Sequence, residues 1–302
     1  MTNLLLLLLF TCLGTFFPIG MRRLKAVGLR QTLLTSAGIT LIAAVLLSIL
    51  CLFTDFSISG TTLLIGLIYG VVYILTVIFY YITQQNGPLS YTAFVLLASM
   101  IIPTLSGYFF WHEPLTTLTL IGIGLFLVSF YLICVPRAGQ PAAINRKWIL
   151  FAVLTFLFNG AGGVIVKYHQ TLSNGQQTVQ FNVIGYAFSA VLCLIAYLPM
   201  LLHDRRKPAA QSEASALTKK DFSLLWCSLP ILLFIAFGNS MGNTGITFLV
   251  SRMPASYLFT VFNGGMQMLV TLYSALVLKE DPGRRGWLGL GIGLTAMVLM
   301  NL

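Results

Sequence analysis

The chain has 302 residues, of which 58% are hydrophobic and only 8% charged, and its mean hydropathy is +0.92. A soluble domain carries about 25% charged residues, so this is not the composition of a water-soluble fold. The formal net charge of +10 does not indicate nucleic acid, because the basic residues stand in short loops between apolar runs. In such loops they mark the cytoplasmic side of a membrane.

Within a bilayer the backbone must satisfy its own hydrogen bonds, which leaves helices or a closed barrel. A barrel would show alternating segments of roughly ten residues. This chain shows long unbroken apolar runs, so an all-α membrane protein is expected. Ten transmembrane helices are predicted over 3–21, 32–53, 61–83, 88–110, 117–135, 148–168, 178–202, 223–250, 254–278 and 285–301. Each has about the length a bilayer requires. The opening "MTNLLLLLLF" has no basic residue before its apolar run, so it is expected to be the first span rather than a signal peptide.

Pro88 and Pro254 stand at helix starts, where a missing N–H costs little. Pro18, Pro103 and Pro230 lie inside or near spans and are expected to kink them. The one long connection, 203–222 ("HDRRKPAAQSEASALTKKDF"), reads as a polar surface loop. Cys12, Cys51, Cys134, Cys193 and Cys227 lie in or beside apolar runs without a CxxC pair, so no disulfide is expected.

The loops after odd-numbered spans hold 15 of the 17 Lys and Arg residues; only Lys167 and Arg252 fall on the other side. The positive-inside bias therefore places both termini outside the cytoplasm.

One phrase is written twice, "PLSY" at 88–91 and "PASY" at 254–257. Each copy opens the fourth helix of a five-helix half. Five helix starts separate the copies, so they enter the membrane from opposite faces. The segment after the first copy ends in Glu113-Pro114 and that after the second in Glu280-Asp281-Pro282; a Gly-rich apolar helix follows each. Near the start of each half, "LGTFFPIG" (13–20) corresponds to "NGAGGVIV" (159–166). Two inverted repeats are expected, 1–140 and 145–302, an architecture of secondary transporters whose sites lie at the midplane.

On these residues the chain resembles the EamA-like ten-helix branch of the drug/metabolite transporter superfamily. The resemblance covers essentially the whole chain. It implies alternating access about a cavity lined by helices 1, 3, 4, 6, 8 and 9. Helices 5 and 10 are then peripheral, and a homodimer through them is expected in a bacterial inner membrane. Well-known members have basic termini and basic residues beside the helix 4–5 turn, which implies cytoplasmic termini. Here that turn reads "WHEPLT" and the termini are uncharged, so the charge bias is followed instead.

Polar side chains in lipid are costly and usually face the bundle interior. Asn239 and Asn243 are one turn apart on helix 8, Asn263 and Gln267 one turn apart on helix 9, and Asn159 lies on helix 6. These amides are either interhelical hydrogen-bond glue or cavity lining. In the first half Tyr69 and Tyr73 form the corresponding pair on helix 3, as packed interface tyrosines or as substrate contacts. Tyr73 and Asn239 are separated by the same 166 positions as the two Pro-x-Ser-Tyr copies.

All seven acids fall in loops or at helix ends, so no carboxylate is expected at the midplane. Glu113 and Glu280 each precede a helix, where a negative charge suits the N-terminus; the alternative is a gating role. Lys167 and Arg252 are expected to snorkel to the headgroups, with attraction of an anionic substrate as the alternative. His112, His169 and His203 have no acid or Cys at ligand spacing, so neither metal nor cofactor is expected. No catalytic constellation appears. The function expected is secondary transport of a small neutral or zwitterionic organic solute, amino-acid-like or drug-like. A lipid-linked headgroup translocase is the alternative within transport. A membrane-embedded enzyme or a structural or receptor subunit are the alternatives outside it.

Overall fold

The computed structural model describes residues 2–24, 28–52, 57–86, 95–96, 98–99, 101–113, 116–134, 146–205, 223, 225–277 and 283–299. Among these every regular element is an α-helix. In chain order they are α1 (Thr2–Gly14), α2 (Phe16–Arg23), α3 (Gly28–Cys51), α4 (Gly60–Asn86) and α5 (Ile101–Trp111). There follow α6 (Thr117–Cys134), α7 (Arg146–Leu172), α8 (Thr178–Arg205), α9 (Leu229–Leu249), α10 (Ala255–Leu276) and α11 (Gly283–Leu299).

Five of them, α3, α4, α7, α8 and α9, are long and apolar enough to cross a membrane, which makes this a multi-pass membrane protein. Their apolar character runs around the helix rather than along one stripe. On α3, Leu33, Ala37, Ala44 and Leu47 are buried, yet Leu41, Val45 and Ile49 along an adjoining face are about half exposed. An apolar outer face of that kind belongs in lipid.

The first predicted span breaks in two at Thr15, shortly before Pro18, where a kink is expected. Pro18 has no N–H to offer the Gly14 carbonyl, so the i→i−4 ladder fails there. The Thr15 N–H is shared between the carbonyls of Thr11 and Cys12, both at 3.2 Å, and its hydroxyl donates to the Cys12 carbonyl at 2.6 Å. Helix α7 runs longer than the predicted 148–168, which puts Lys167 inside it rather than at its end. The first Pro-x-Ser-Tyr copy, 88–91, lies outside the described residues.

The chain divides into two compact units. The first comprises Met1–Thr15, Leu75–Gln176 and Gly242–Leu302; the second comprises Phe16–Ile74 and Gln177–Met241. Helices α4 and α9 each contribute to both, the division falling after Ile74 and after Met241. Each unit draws on both sequence halves, so a compact unit and a sequence half are different divisions of this chain.

In the second unit α3 packs along α8, and Ile39, Ala43, Leu47, Tyr186, Leu232 and Ile235 form one buried cluster. Helix α4 approaches α8 closely at Gly70. A Cβ there would stand 2.9 Å from the Gly185 carbonyl oxygen, and the Ser189 hydroxyl donates to the Gly70 carbonyl at 3.0 Å. Lipid removes most of the hydrophobic drive between helices, so van der Waals contact of this closeness and interhelical hydrogen bonds carry the packing.

In the first unit α6 packs along α11, joined by the Ser129 hydroxyl donating to the Gly289 carbonyl at 2.6 Å. Helix α5 packs on α7 and α10, and α1 packs on α10. Gly163 on α7 meets Pro103 on α5, where an added Cβ would come within 2.9 Å of the proline ring.

Candidate functional site

The second unit gathers aromatic and amide side chains. Tyr69 and Tyr73 stand one turn apart on α4 with ring centroids 6.3 Å apart. Tyr69 lies 5.1 Å from the Phe181 ring, and Tyr73 meets Tyr186 edge-on at 5.8 Å and 86°. The Tyr186 hydroxyl donates to the Asn239 carbonyl at 3.3 Å, which brings Asn239 beside the Tyr73–Tyr186 pair. Tyr73 and Asn239, the pair matched by the 166-residue spacing, are thus neighbours.

Beside them Asn182 is fully buried. Its Nδ2 donates to the Thr178 carbonyl at 2.9 Å, while its Oδ1 has no hydrogen-bond partner among the described residues. An unmet buried acceptor costs about 1–3 kcal/mol. Neither Tyr186 nor Asn182 is among the residues singled out from sequence. Their i, i+4 spacing on α8, the spacing that marked the other pairs, is the signal that could have found them.

The other amides singled out from sequence, Asn159, Asn243, Asn263 and Gln267, lie in the first unit. Asn159 on α7 donates to the Ser99 hydroxyl at 2.6 Å and the Leu96 carbonyl at 3.2 Å, tying two segments together. Asn263 on α10 donates back to Phe259 of its own helix at 2.9 Å. The Asn243 carbonyl accepts from the Thr247 hydroxyl at 2.8 Å. Gln267 lies one turn beyond Asn263 on α10.

One of the charged residues departs from expectation. Lys167 does not snorkel: its side chain is 9% exposed, and its ammonium donates to Glu113 Oε1 at 2.5 Å and to the Val250 carbonyl at 2.8 Å. Glu113 reaches a helix other than the one that follows it. Its Oε2 accepts from the Ala255 N–H at 2.6 Å, at the first turn of α10. Pro254, the N-cap of that helix, makes no side-chain cap bond, so Glu113 caps it from 142 residues away. His112 turns the chain with a positive φ of 52°, and the Glu113 N–H returns to the Gly107 carbonyl at 3.1 Å. A Cβ on Gly107 would stand 2.5 Å from Glu113 Oε2, so only glycine leaves room for the carboxylate. Arg252 is exposed, with its guanidinium 4.1 Å over the Phe248 ring. Glu280 lies outside the described residues.

Fold and composition define the class: a helical, multi-pass membrane protein with polar and aromatic side chains held inside its units. The family model for the EamA-like transporter family matches residues 146–302, and the chain belongs to that family, within the drug/metabolite transporter superfamily. One solved crystal structure superposes with a TM-score of 0.75 at 14% identity, covering 99% of this chain and 96% of its own; that likeness concerns the fold. No curated protein matches the chain. The family makes the protein a membrane transporter of the drug/metabolite type.

Proposed function

We propose that the protein carries a small neutral or zwitterionic organic solute, amino-acid-like or drug-like, by alternating access of two inverted five-helix repeats, 1–140 and 145–302. The observation that carries this reading is the set Tyr73, Tyr186, Asn239 and Asn182, with the buried Asn182 Oδ1 unmatched among the described residues. An acceptor without a donor suits a solute that brings an N–H, and tyrosine faces suit its apolar part. Tyr69, Asn159, Asn243, Asn263 and Gln267 are the further candidates for substrate contact. Export, facilitated diffusion or exchange fits better than proton antiport, because all seven acids fall in loops or at helix ends. The family resemblance suggests a bacterial inner membrane, and the Lys and Arg bias puts both termini outside the cytoplasm. A homodimer through α6 and α11 completes the reading.

The test is transport by reconstituted Asn239→Leu and Asn263→Leu variants, alone and combined. Loss of uptake or efflux in variants that express and melt normally supports the reading; unimpaired transport refutes it. A panel of amino acids and related metabolites, screened for an increase in thermal stability, identifies the solute, because a ligand of the folded state stabilises it.

A further inference from the structure

The contact between Glu113 and Lys167 joins parts of the first unit that are far apart in sequence. The carboxylate follows the end of α5, the ammonium stands on α7, and the two backbone partners, Val250 and Ala255, flank the short turn between α9 and α10. Taking two charges out of water is costly, and a partly buried ion pair recovers that cost only with good geometry and further hydrogen bonds. Here the further bonds are present: the carboxylate takes a helix N-terminal N–H, and the ammonium takes a carbonyl at the end of α9.

Two features suit such a contact to opening. First, Pro254, the N-cap residue of α10, makes no side-chain cap bond. A local Ser, Thr or Asp would cap the helix in every conformation, whereas a carboxylate brought from α5 caps it only while α5 and α10 stand together. Second, the pair lies one layer beneath the surface. Glu113 and Lys167 are 13% and 9% exposed, while His112, Ser251 and Arg252 beside them are exposed. A small separation therefore returns both ions to water, and rehydration offsets the lost attraction. Separated ions still buried in apolar surroundings would make opening far costlier.

We propose that Glu113 and Lys167, with the Val250 carbonyl and the Ala255 N–H, form a latch that closes one end of α5, α7 and α10 and opens reversibly during transport. The latch rests on the reading of the protein as an alternating-access carrier, but its test needs no substrate. Val250, fully buried beside the ammonium, is the reporter position. Val250→Cys is introduced into a chain whose five native cysteines are replaced, and the protein is placed in nanodiscs so that both faces meet a hydrophilic maleimide. Glu113→Gln removes the charge. Ala255→Pro removes the N–H from the other side and suits the first position of a helix; the extended Pro254, at φ −57° and ψ 137°, tolerates a following proline.

The expected result is labelling of the thiol introduced by Val250→Cys at least tenfold faster in either variant than in the parent, with the folded fraction and melting profile retained. Unchanged labelling in a folded variant overturns the latch. If one variant fails to fold, the other decides. If both fail, the contact is a permanent brace and the proposal falls. Faster labelling together with absent transport of every solute tried would uphold the latch while leaving the carrier reading to fail by itself.

Discussion

Tyr73 on α4 and Tyr186 on α8 meet edge-on, 5.8 Å between ring centroids and 86° between planes. This is the favourable geometry for two aromatic quadrupoles, and it leaves the Tyr186 hydroxyl free to reach the Asn239 carbonyl. Ring and hydroxyl therefore have separable effects. Tyr186→Phe should keep the packing and lose about 0.6–1 kcal/mol. Tyr186→Ala should empty a fully buried site and lose about 3–5 kcal/mol. Thermal unfolding in detergent measures both, and equal losses would contradict the assignment.

Asn159 and Asn263 look alike in sequence but differ in their bonds. Asn159 ties α7 to Ser99 and Leu96, whereas Asn263 bonds within its own helix. Asn159→Leu should lower stability by about 1–2 kcal/mol, the upper range for interhelical hydrogen bonds in membranes. Asn263→Leu should change stability by less than about 0.5 kcal/mol and act on transport instead. Paired melting and transport assays separate the two; a larger stability loss at Asn263 would reverse the assignment.

Two glycines give opposite expectations for the same substitution. Gly70→Ala would push a methyl against the Gly185 carbonyl oxygen at 2.9 Å and should destabilise by about 1–3 kcal/mol. A Cβ on Gly291 meets nothing within 4 Å. Gly291→Ala should be neutral or stabilise by up to about 1 kcal/mol through helix propensity. Yield of folded protein after mild heating reads both, and a stable Gly70→Ala variant would show that α4 and α8 are less closely packed than described.

Gly107→Ala offers a further check on the Glu113 cap. Its methyl would collide with the carboxylate that holds the first turn of α10. Loss of a helix cap costs about 0.5–2 kcal/mol, so the variant should melt earlier. Combined with Glu113→Gln, the two losses should add to less than their sum, because both remove the same contact. Full additivity, measured in a thermal double-mutant cycle, would count against the shared contact.

Length, charge and the run of apolar residues determined by themselves that this chain is a bundle of membrane helices. Those properties are local: a rise of about 1.5 Å per residue converts a run length into a membrane thickness whatever lies beside it. The same local geometry brought Tyr69 next to Tyr73 and marked the amide pairs. The 166-residue spacing marked Tyr73 and Asn239 as corresponding positions and did not itself call for a contact between them. What only the tertiary structure decided was the choice of partners. Lys167 and Glu113 are 54 residues apart, and the N–H that Glu113 caps is 142 residues away. A lysine near a helix end is indistinguishable, in sequence, from one that reaches the headgroups. A glutamate before a helix likewise reads as a cap for the helix that follows it. Which carboxylate meets which ammonium depends on where α5, α7 and α10 converge, and helical periodicity does not encode that convergence.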